Sequence, residues 1–365
     1  MRQSFPHRIL CFYSKKCIFL HAKQLFLIPL FTFAVLCLSS CGQKKEPVVR
    51  NGFYFDTVIS ITLYGESSKL SPLFDEIFAL CESCEAMFDR TAENSDIAMI
   101  NASAGTPVAV HPETIFLLQA ACSYAELTGG LVDPTIAPLL SLWGFGDTDT
   151  QSDPPDRGVS SDLTLPPDAD ALSEACRHID YHTIVIDEQA GTVMLTDPQA
   201  AIDLGFIAKG YIADRIRDYL VSQNVTSAII NLGGNILCIG EKPDHSAYRV
   251  AVRYPFGGAE DVIEALAVRD QSVVTSGVYE RFIEVDGTRY HHIFNPQTGY
   301  PVENGLLSVT IVADSSTDAD ALSTACFVLG LSDGMALIES LENTGALFIT
   351  EDYELHYSGR LKEDH

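Results

Sequence analysis

The sequence has little positive charge for its size. Its 365 residues contain 23 Lys and Arg against 49 Asp and Glu, which gives a formal net charge of −26. A surface this acidic repels phosphate backbones, so nucleic acid is a poor partner. An anionic cofactor would need local hydrogen-bond donors or a cation to offset the same electrostatic field.

Several familiar signatures are also absent. The sequence has no zinc-ligand spacing, no GxGxxG or P-loop glycine pattern and no internal repeat at solenoid spacing. Cys81 and Cys84 have the spacing of a redox pair, but they lie in an apolar pattern with helical period. This context favours two core residues over a dithiol. The absences argue against a zinc enzyme, a dinucleotide or P-loop site and a repeat fold.

The N-terminal segment lacks an apolar run long enough to span a bilayer comfortably. Lys15, Lys16 and Lys23 precede a fourteen-residue apolar run, residues 25–38, whereas a membrane-spanning helix needs about 20. A basic region, an apolar core and then small residues are typical of an export signal. We therefore predict a signal peptide over residues 1–40.

The residues at the end of this signal, LSSC, match the lipobox of bacterial lipoproteins. The match predicts that Cys41 is diacylated and anchors the exported chain to a bacterial membrane. Residues 41–50 would then be a polar tether, and residues 51–365 the folded domain. A plain signal anchor is the alternative interpretation.

Beyond residue 50, strand and helix periods alternate along the chain, which predicts an α+β fold with a largely antiparallel sheet. Predicted strands and helices cover residues 53–64, 71–88, 111–127, 167–176, 182–186, 192–196, 203–223 and 228–239. Residues 147–170 are acidic, rich in proline and serine and without apolar period, which predicts an exposed loop. The only tryptophan, Trp143, is either a core anchor or a ligand contact.

Residues 273–301 contain the pattern around which the other motifs are arranged. Val273 and Val274 are predicted to enter as a short strand, and residues 275–277, Thr-Ser-Gly, to form a turn after it. Asp286 and Gly287 are a dipeptide that closes tight hairpins, and the returning strand carries His291 and His292 to a turn rich in proline and glycine. Because strand side chains alternate, only one of the two histidines can face a given site. A hairpin with one core and one surface histidine is the alternative to a catalytic site.

Two further stretches contain residue types suited to phosphate or metal. Residues 203–211, DLGFIAKGY, place Lys209 and exposed helix amides where phosphate oxygens could bind, and residues 231–235, NLGGN, let backbone approach a ligand. Asp320 and Thr324 are four residues apart on a predicted helix and could offer two hard oxygens to Mg²⁺. The alternative is an acidic residue that only favours the helix N-terminus.

Together these stretches make the sequence resemble the ApbE family, whose members are FAD:protein FMN transferases. The motifs DLGFIAKGY, NLGGN, TSGVYERF, YHHIFNPQTGYP and STDADALSTA occur in the family's order, with FDT at residues 55–57 and LVDPTIAPLLSLWGFG at 131–146. The resemblance runs from about residue 53 to the C-terminus. It implies a two-lobed α+β body with FAD in the cleft.

The resemblance also implies an activity and its residues. The reaction would be Mg²⁺-dependent transfer of FMN from FAD to a threonine or serine of an acceptor flavoprotein, with release of AMP. His292 would be the catalytic base. The residues that would line FAD are Phe55, Leu131, Val132, Asp133, Asp203, Lys209 and Phe294. The metal would be held by the main-chain oxygen of Phe206, by Asp320 and by Thr324, with Ser323 close by.

Two positions depart from the family pattern. Asn295 stands where the family usually has an aspartate, and Phe206 replaces a usually small residue. Neither change removes a predicted catalytic group. Two alternatives remain for the function: an FAD pyrophosphatase that gives FMN and AMP, and a flavin-binding lipoprotein without catalysis.

Overall fold

A computed structural model of the chain describes residues 46–145, 165–258 and 260–363. The predicted signal peptide, Cys41 and most of the acidic 147–170 segment lie outside these residues. At the margins the structure differs from the predicted boundaries. Val48 begins a strand and its side chain is buried, so the tether predicted to reach residue 50 overlaps the fold. Ala169 and Asp170 already belong to a helix.

The described residues alternate between helices and strands. The helices are α1 (Ser67–Leu70), α2 (Leu73–Phe88), α3 (Asp96–Ala102), α4 (Pro112–Leu127), α5 (Ala137–Leu142), α6 (Ala169–Cys176), α7 (Ala208–Ser222) and α8 (Ser316–Glu339). The strands are β1 (Val48–Tyr54), β2 (Thr57–Leu63), β3 (Val108–Ala109), β4 (Ile184–Asp187), β5 (Thr192–Leu195), β6 (Ser227–Leu232), β7 (Asn235–Gly240), β8 (Tyr248–Arg253), β9 (Val262–Val268), β10 (Ser272–Gly277), β11 (Phe282–Val285), β12 (Thr288–His291), β13 (Leu306–Ala313), β14 (Gly345–Thr350) and β15 (Leu355–Gly359).

One eight-stranded sheet organises these elements. Its strand order is β1-β2-β6-β7-β10-β13-β14-β15, and each neighbouring pair is antiparallel. The pairs β8–β9 and β11–β12 and the three strands β3-β5-β4 form smaller antiparallel sheets. The predicted α+β class with a largely antiparallel sheet is therefore confirmed.

The single strand predicted over residues 53–64 is wrong. It is a hairpin, β1–β2, in which Tyr54 pairs with Thr57 across a two-residue turn. Phe55 and Asp56 both have positive φ, 53° and 55°, as a tight hairpin turn requires. The prediction failed because glycine, which usually marks such a turn, is absent here.

The histidine-bearing hairpin forms where the sequence predicted it. Asp286 and Gly287 turn β11 into β12 with φ of 50° and 80°, and Phe282 pairs with His291. The turn predicted at residues 275–277 is instead the end of β10, because Thr275, Ser276 and Gly277 pair with β13. We call residues 281–292 the histidine hairpin.

Helix α8 packs against the main sheet and is unusually apolar. By length and composition it is the one helix among the described residues that could cross a membrane, with a mean hydropathy of 1.7. Half of its most apolar 18-residue stretch is buried inside the fold, as expected for a core helix. Its first turn is capped by Ser315, whose hydroxyl accepts a hydrogen bond from the Asp318 N–H.

The cysteines beyond residue 45 are free thiols. Cys81 and Cys84 are buried in the core on α2, as the apolar pattern predicted, and Cys238 and Cys326 are also buried. Burial raises the pKa of Cys81 to about 12. These residues contribute packing and not redox chemistry.

The β1–β2 turn, the β6–β7 turn and the C-terminal end of β10 meet at one end of the main sheet. Gly233, in the β6–β7 turn, lies against the start of β2: a Cβ built on it would be 2.5 Å from the Thr57 hydroxyl oxygen. Val273 pairs with Ile236, so β10 runs on past the start of β7 toward the same end. This end of the sheet carries the candidate site.

Candidate active site

Helices α7 and α8 approach each other so closely at their N-termini that only glycine fits between them. A Cβ built on Gly210 would lie 2.2 Å from the main-chain oxygen of Ser316. The same glycine donates its N–H to Oδ2 of Asp320, at 2.8 Å. We call this contact, with Asp214, the helix junction.

The bond from Gly210 to Asp320 changes the start of α7. In a regular helix the Gly210 N–H would bond to the carbonyl oxygen four residues earlier, on Phe206. Among the described residues, no backbone N–H is bonded to the Phe206 oxygen outside the regular helix and strand pairings. The described hydrogen bonds therefore leave the Phe206 main-chain oxygen, four residues before the amide that bonds to Asp320, without a backbone donor.

Asp214, one helical turn beyond Gly210, fixes the first turn of α8. Its carboxylate accepts hydrogen bonds from the N–H groups of Ser316 and Thr317, at 2.9 and 2.8 Å, and from the Thr317 hydroxyl at 2.7 Å. The Ser315 hydroxyl donates to the same carboxylate at 3.2 Å. The orphan donors of a helix start are thus satisfied by a neighbouring helix.

A cluster of hydroxyls joins α8 to the end of β10. The Ser276 Oγ lies 2.7 Å from the Ser323 Oγ and 3.1 Å from the Thr324 Oγ1. Ser323 also donates to the main-chain oxygen of Asp320, at 2.8 Å. Ser276 is a contact that the sequence did not assign, because it lies 47 residues before Ser323 and no spacing rule joins the two.

Asp320, predicted as a metal ligand, offers a buried carboxylate at the helix junction. Asp320 is only 5% exposed, and burial raises its pKa, while Lys209 and the Gly210 amide act in the opposite direction. In the described ranges no three His, Cys, Asp or Glu side chains could hold a metal together. Mg²⁺ is commonly held by one or two carboxylates, with water and substrate phosphates as further ligands. Asp320 and Thr324, four residues apart on α8, offer a carboxylate and a hydroxyl oxygen, which are ligand types that such an ion takes.

His292 follows β12 at the base of the histidine hairpin. Its Nδ1 lies 3.0 Å from the main-chain oxygen of Arg281. Because a carbonyl oxygen can only accept, we assign the ring proton to Nδ1, which leaves a lone pair on Nε2. Burial, and then the positive charge of Arg281, lower the pKa of His292 to about 3. The ring is therefore a neutral acceptor at Nε2 near neutral pH.

His291 points the other way, into the core. Its Nε2 donates to the Val302 oxygen at 3.1 Å, and its Nδ1 accepts from the Ile293 N–H at 3.3 Å. The ring packs edge-on against Phe327, and burial lowers its pKa to about 4. With both nitrogens engaged and 8% exposure, His291 is a structural residue.

The positive charge of Lys209 affects the pKa values of both His292 and Asp320. It adds to the burial that lowers the pKa of His292, and it opposes the burial that raises the pKa of Asp320. The ammonium group itself donates to the Gly205 oxygen at 3.1 Å. A single cation thus acts on both the predicted base and the predicted metal ligand.

An aromatic wall stands behind His292. Phe145 lies 6.3 Å from the His292 ring and 5.8 Å from Phe294, measured between ring centroids. Trp143 stacks on Phe294 at 5.6 Å and donates its indole N–H to the Gly299 oxygen. Both Trp143 and Phe294 are almost fully buried, so Trp143 is a core anchor.

Arg90 connects this wall to the predicted flavin contact Asp203. It donates to Asp203 Oδ2 at 3.0 Å, to the Ser141 hydroxyl at 3.2 Å and to the Phe145 main-chain oxygen at 2.7 Å. The planar guanidinium group presents its N–H donors as a rigid fork, which fixes these three groups at once. No spacing rule could have found it, because Arg90 is 113 residues from Asp203 in sequence.

The turn at residues 131–133 is held by its own carboxylate. Asp133 Oδ1 accepts from the Thr135 N–H and hydroxyl, and Oδ2 accepts from the Tyr181 N–H at 2.9 Å. Burial raises the Asp133 pKa against these bonds. Leu131 and Val132 lie partly and fully buried on the same turn. The Asp203 N–H, bonded to the Pro134 oxygen at 2.8 Å, places this turn beside Asp203.

An open cavity of about 460 Å³ borders the same turn. Its walls include Gly129, Gly130, Asp133 and Tyr181. Neither His292 nor Asp320 lines it, so it is a depression apart from the helix junction. Phe55 does not line the cavity either; it lies on the β1–β2 turn, where its N–H donates to the Glu85 carboxylate at 2.7 Å.

Comparisons with known proteins point to one family. A sequence model described as the ApbE family matches residues 55–348. The chain is 35% identical to an FAD:protein FMN transferase of Treponema pallidum, over 89% of this chain and 91% of the relative. A relative of the same name in Klebsiella pneumoniae is also 35% identical, over 81% and 87%.

Solved structures agree with these matches. The ApbE protein of Thermotoga maritima superposes with a TM-score of 0.77 at 34% identity, covering 87% of this chain and 99% of that one. The flavin transferase ApbE of Vibrio cholerae gives 0.75 at 29% identity, with the same coverage. Both similarities extend over nearly the whole of the described fold.

Proposed function

Because the chain belongs to the ApbE family, we propose that it is an FAD:protein FMN transferase. The enzyme would move the FMN part of FAD onto a threonine or serine hydroxyl of an acceptor flavoprotein and release AMP. The observation that carries the proposal is His292. Its ring is neutral with a free lone pair on Nε2, and the charge of Lys209 acts both on this ring and on the buried Asp320 carboxyl.

The residues support a balanced transfer step. Nε2 of His292 takes the proton from the acceptor hydroxyl, whose oxygen forms a bond to the phosphorus of the FMN part. The bond from that phosphorus to the bridging oxygen breaks, and AMP leaves with the bridging oxygen. Lys209 steadies the phosphate oxygens as charge shifts toward AMP.

We also propose that the reaction depends on Mg²⁺. Asp320, the Phe206 carbonyl and Thr324 would hold the ion, and Ser323 and Ser276 would orient them. A bound Mg²⁺ would polarise the pyrophosphate as a Lewis acid. It would also offset the cost of burying the Asp320 carboxylate.

The decisive test is covalent labelling of an acceptor. The protein is incubated with FAD, MgCl₂ and a threonine-containing acceptor domain from the same cell, and the products are separated on a denaturing gel. We expect flavin fluorescence on the acceptor band, its loss when the acceptor threonine is changed to alanine, and no transfer by Asp320→Asn or in EDTA. Fluorescence only in solution, as free FMN, would instead identify a pyrophosphatase. Full activity of Asp320→Asn in EDTA would contradict the metal assignment.

We propose further that the enzyme is exported and anchored to a bacterial membrane through a lipid on Cys41. The basic and apolar order of residues 1–40 and the LSSC sequence support this localisation. Expressed in a bacterium, Cys41→Ala should remain unprocessed or lose its membrane attachment. A variant that is processed and membrane-bound like the parent would rule out the lipid anchor.

A further inference from the structure

The hairpin β1–β2 carries two large apolar side chains that remain exposed side by side. Phe53 and Val58 are 63% and 61% exposed, and the two residues pair directly across the strands. Val49, on the same face of β1, is 43% exposed. Single exposed apolar residues are common on folded proteins, whereas neighbouring ones often mark a surface of interaction. These three side chains therefore call for an occupant.

The face to which they belong is free of charge. Residues at alternate positions of a strand share a face, and so do residues that pair across two strands. On β1 and β2 this outward face consists of three pairs without an ionisable side chain: Val49–Thr62, Asn51–Ser60 and Phe53–Val58. We call these six residues the uncharged face. The outward residues of β8, by contrast, include the exposed Arg249 and Arg253.

Farther along the main sheet, the same side is covered by the β8–β9 pair. Thr62 pairs with Ile229 of β6, and Ile229 pairs with Cys238 of β7, so these residues share the side on which Val49 lies. Cys238 packs in one cluster with Leu266 of β9. It is fully buried, whereas Thr62 is half-buried and Val49 is exposed. The cover given by β8–β9 thus ends before the uncharged face.

The position of the uncharged face in the chain indicates what covers it. Val48, the first residue of β1, comes seven residues after Cys41, the proposed lipid site. Seven residues of fully extended chain reach about 25 Å at most. Val49 follows directly, and Phe53 lies on the same strand. A chain anchored through Cys41 therefore keeps the start of this face within that distance of the lipid.

We propose that the uncharged face lies on the surface of the bilayer that holds the Cys41 lipid. The chain has a formal net charge of −26, so anionic lipids repel most of its surface, and a face without carboxylates approaches them at the least electrostatic cost. Phe53 and Val58 enter the headgroup region, as apolar side chains of peripheral proteins do. The proposal rests on the proposed lipid anchor and goes beyond it, since a tether alone leaves the orientation of the domain free.

The contact would also place the candidate site. The hairpin β1–β2 ends in the turn next to Thr57, which lies against Gly233 at the end of the main sheet that carries the site. With the uncharged face on the bilayer, this end of the sheet stays close to the lipid surface. An acceptor hydroxyl would then have to reach the site beside the membrane.

The test uses an introduced tryptophan as a probe of lipid contact. Phe53→Trp is purified with its lipid from bacterial membranes and bound to vesicles of phosphatidylcholine and phosphatidylglycerol, with or without brominated acyl chains that quench nearby tryptophans. Trp143, the only tryptophan of the parent, is fully buried, so the parent supplies the background emission. On vesicles we expect the added emission to shift to shorter wavelength and to be lost to the brominated lipid.

Phe116→Trp is the matched control. Phe116 is 55% exposed on α4, and the buried residues of α4 share a core with Ile59 and Ile61, which lie on the opposite face of β2. Its tryptophan should keep its emission on brominated vesicles. If Phe53→Trp does not fold, Val58→Trp carries the same measurement. Equal quenching of the control, or no quenching in a folded variant of the uncharged face, would overturn the proposal.

Flotation of the vesicles separates this proposal from the lipid anchor. If the parent does not float with the vesicles, both the anchor and the bilayer contact are wrong. If it floats and the tryptophan at position 53 is not quenched, only the bilayer contact is wrong. A spectral shift at that position on addition of the acceptor domain, without quenching by lipid, would assign the face to the acceptor instead.

Discussion

The helix junction and the histidine hairpin are built in different ways. At the junction, four hydrogen bonds to Asp214, one to Asp320 and the close contact at Gly210 fix the starts of two helices. The hairpin is a two-stranded ribbon outside the main sheet, with half of its residues exposed, and Arg289 packs over Phe256 and Phe282 in its outer half. Isolated ribbons are only marginally stable. The difference teaches that contacts from several elements fix the helix junction, whereas the outer half of the hairpin has fewer contacts to hold it in place.

The largest effect should come from the base in the hairpin. His292→Ala should lower FMN transfer by 10²–10⁴-fold, the range typical of a lost general base, and leave FAD affinity near that of the parent. His291→Ala should lower transfer much less, since it removes packing against Phe327. Transfer rates and FAD fluorescence titrations of both variants check this. The reverse order of the two effects would assign the base to His291.

The next effect is the part of the pH dependence of stability that comes from His291; His292, with its pKa lowered to about 3, adds a further part that a His291 variant leaves in place. Its pKa is about 4 in the fold against 6.5 for the ordinary group, so between these values the unfolded chain binds more protons. Stability therefore rises with pH in this window and is lost as pH falls from 6.5 toward 4. His291→Gln, which keeps a donor for Val302, should reduce that loss by about 2–3 kcal/mol. Urea unfolding from pH 7 to 4.5 measures it, and parallel curves for variant and parent would contradict it.

A smaller but more general effect is expected at the helix junction. Gly210→Ala places a methyl group against the Ser316 backbone, which cannot move aside, and should lower the free energy of unfolding by about 1–3 kcal/mol. The bond to Asp320 would lengthen, so Mn²⁺ should stabilise the variant less. Gly258→Ala is the control, because its added methyl meets only ordinary contact, at 3.4 Å from Asp261. Equal melting temperatures for the two variants would show that the helices can separate at little cost.

The smallest effect concerns Arg90, which connects Asp203 to the aromatic wall behind the hairpin. Arg90→Lys keeps the charge but loses the fork that holds Asp203, Ser141 and Phe145 together, and should cost about 1–2 kcal/mol of stability. Arg177→Lys changes an exposed arginine that pairs with Glu174 and should cost almost nothing. Chemical denaturation of both variants provides the comparison. A similar loss in both would mean that the fork adds nothing beyond its charge.

The sequence predicted those parts of the site that depend on local rules. Asp320 and Thr324 share a helix face because they are four residues apart, and Asp286 with Gly287 closes the hairpin because both tolerate positive φ. The alternation of strand side chains separated His291 from His292. Each of these rules acts within a few residues of the chain.

The parts that the sequence did not predict depend on contacts between distant segments. The close approach of Gly210 to Ser316 and the bond from Ser276 to Ser323 join residues that are far apart in sequence. Tertiary pairing with β13 also turned the predicted turn at residues 275–277 into strand. The β1–β2 turn was missed for a local reason, because Phe55 and Asp56 replace the usual glycine.

The buried thiols make the fold indifferent to the oxidation state of its surroundings. Burial raises the pKa of Cys84, Cys238 and Cys326 to about 12, as it does for Cys81, so almost no thiolate forms at neutral pH. Thiolate is the species that attacks disulfides and oxidants. The fold of the described residues therefore depends on no disulfide, and we expect an oxidising environment not to alter it through these four thiols.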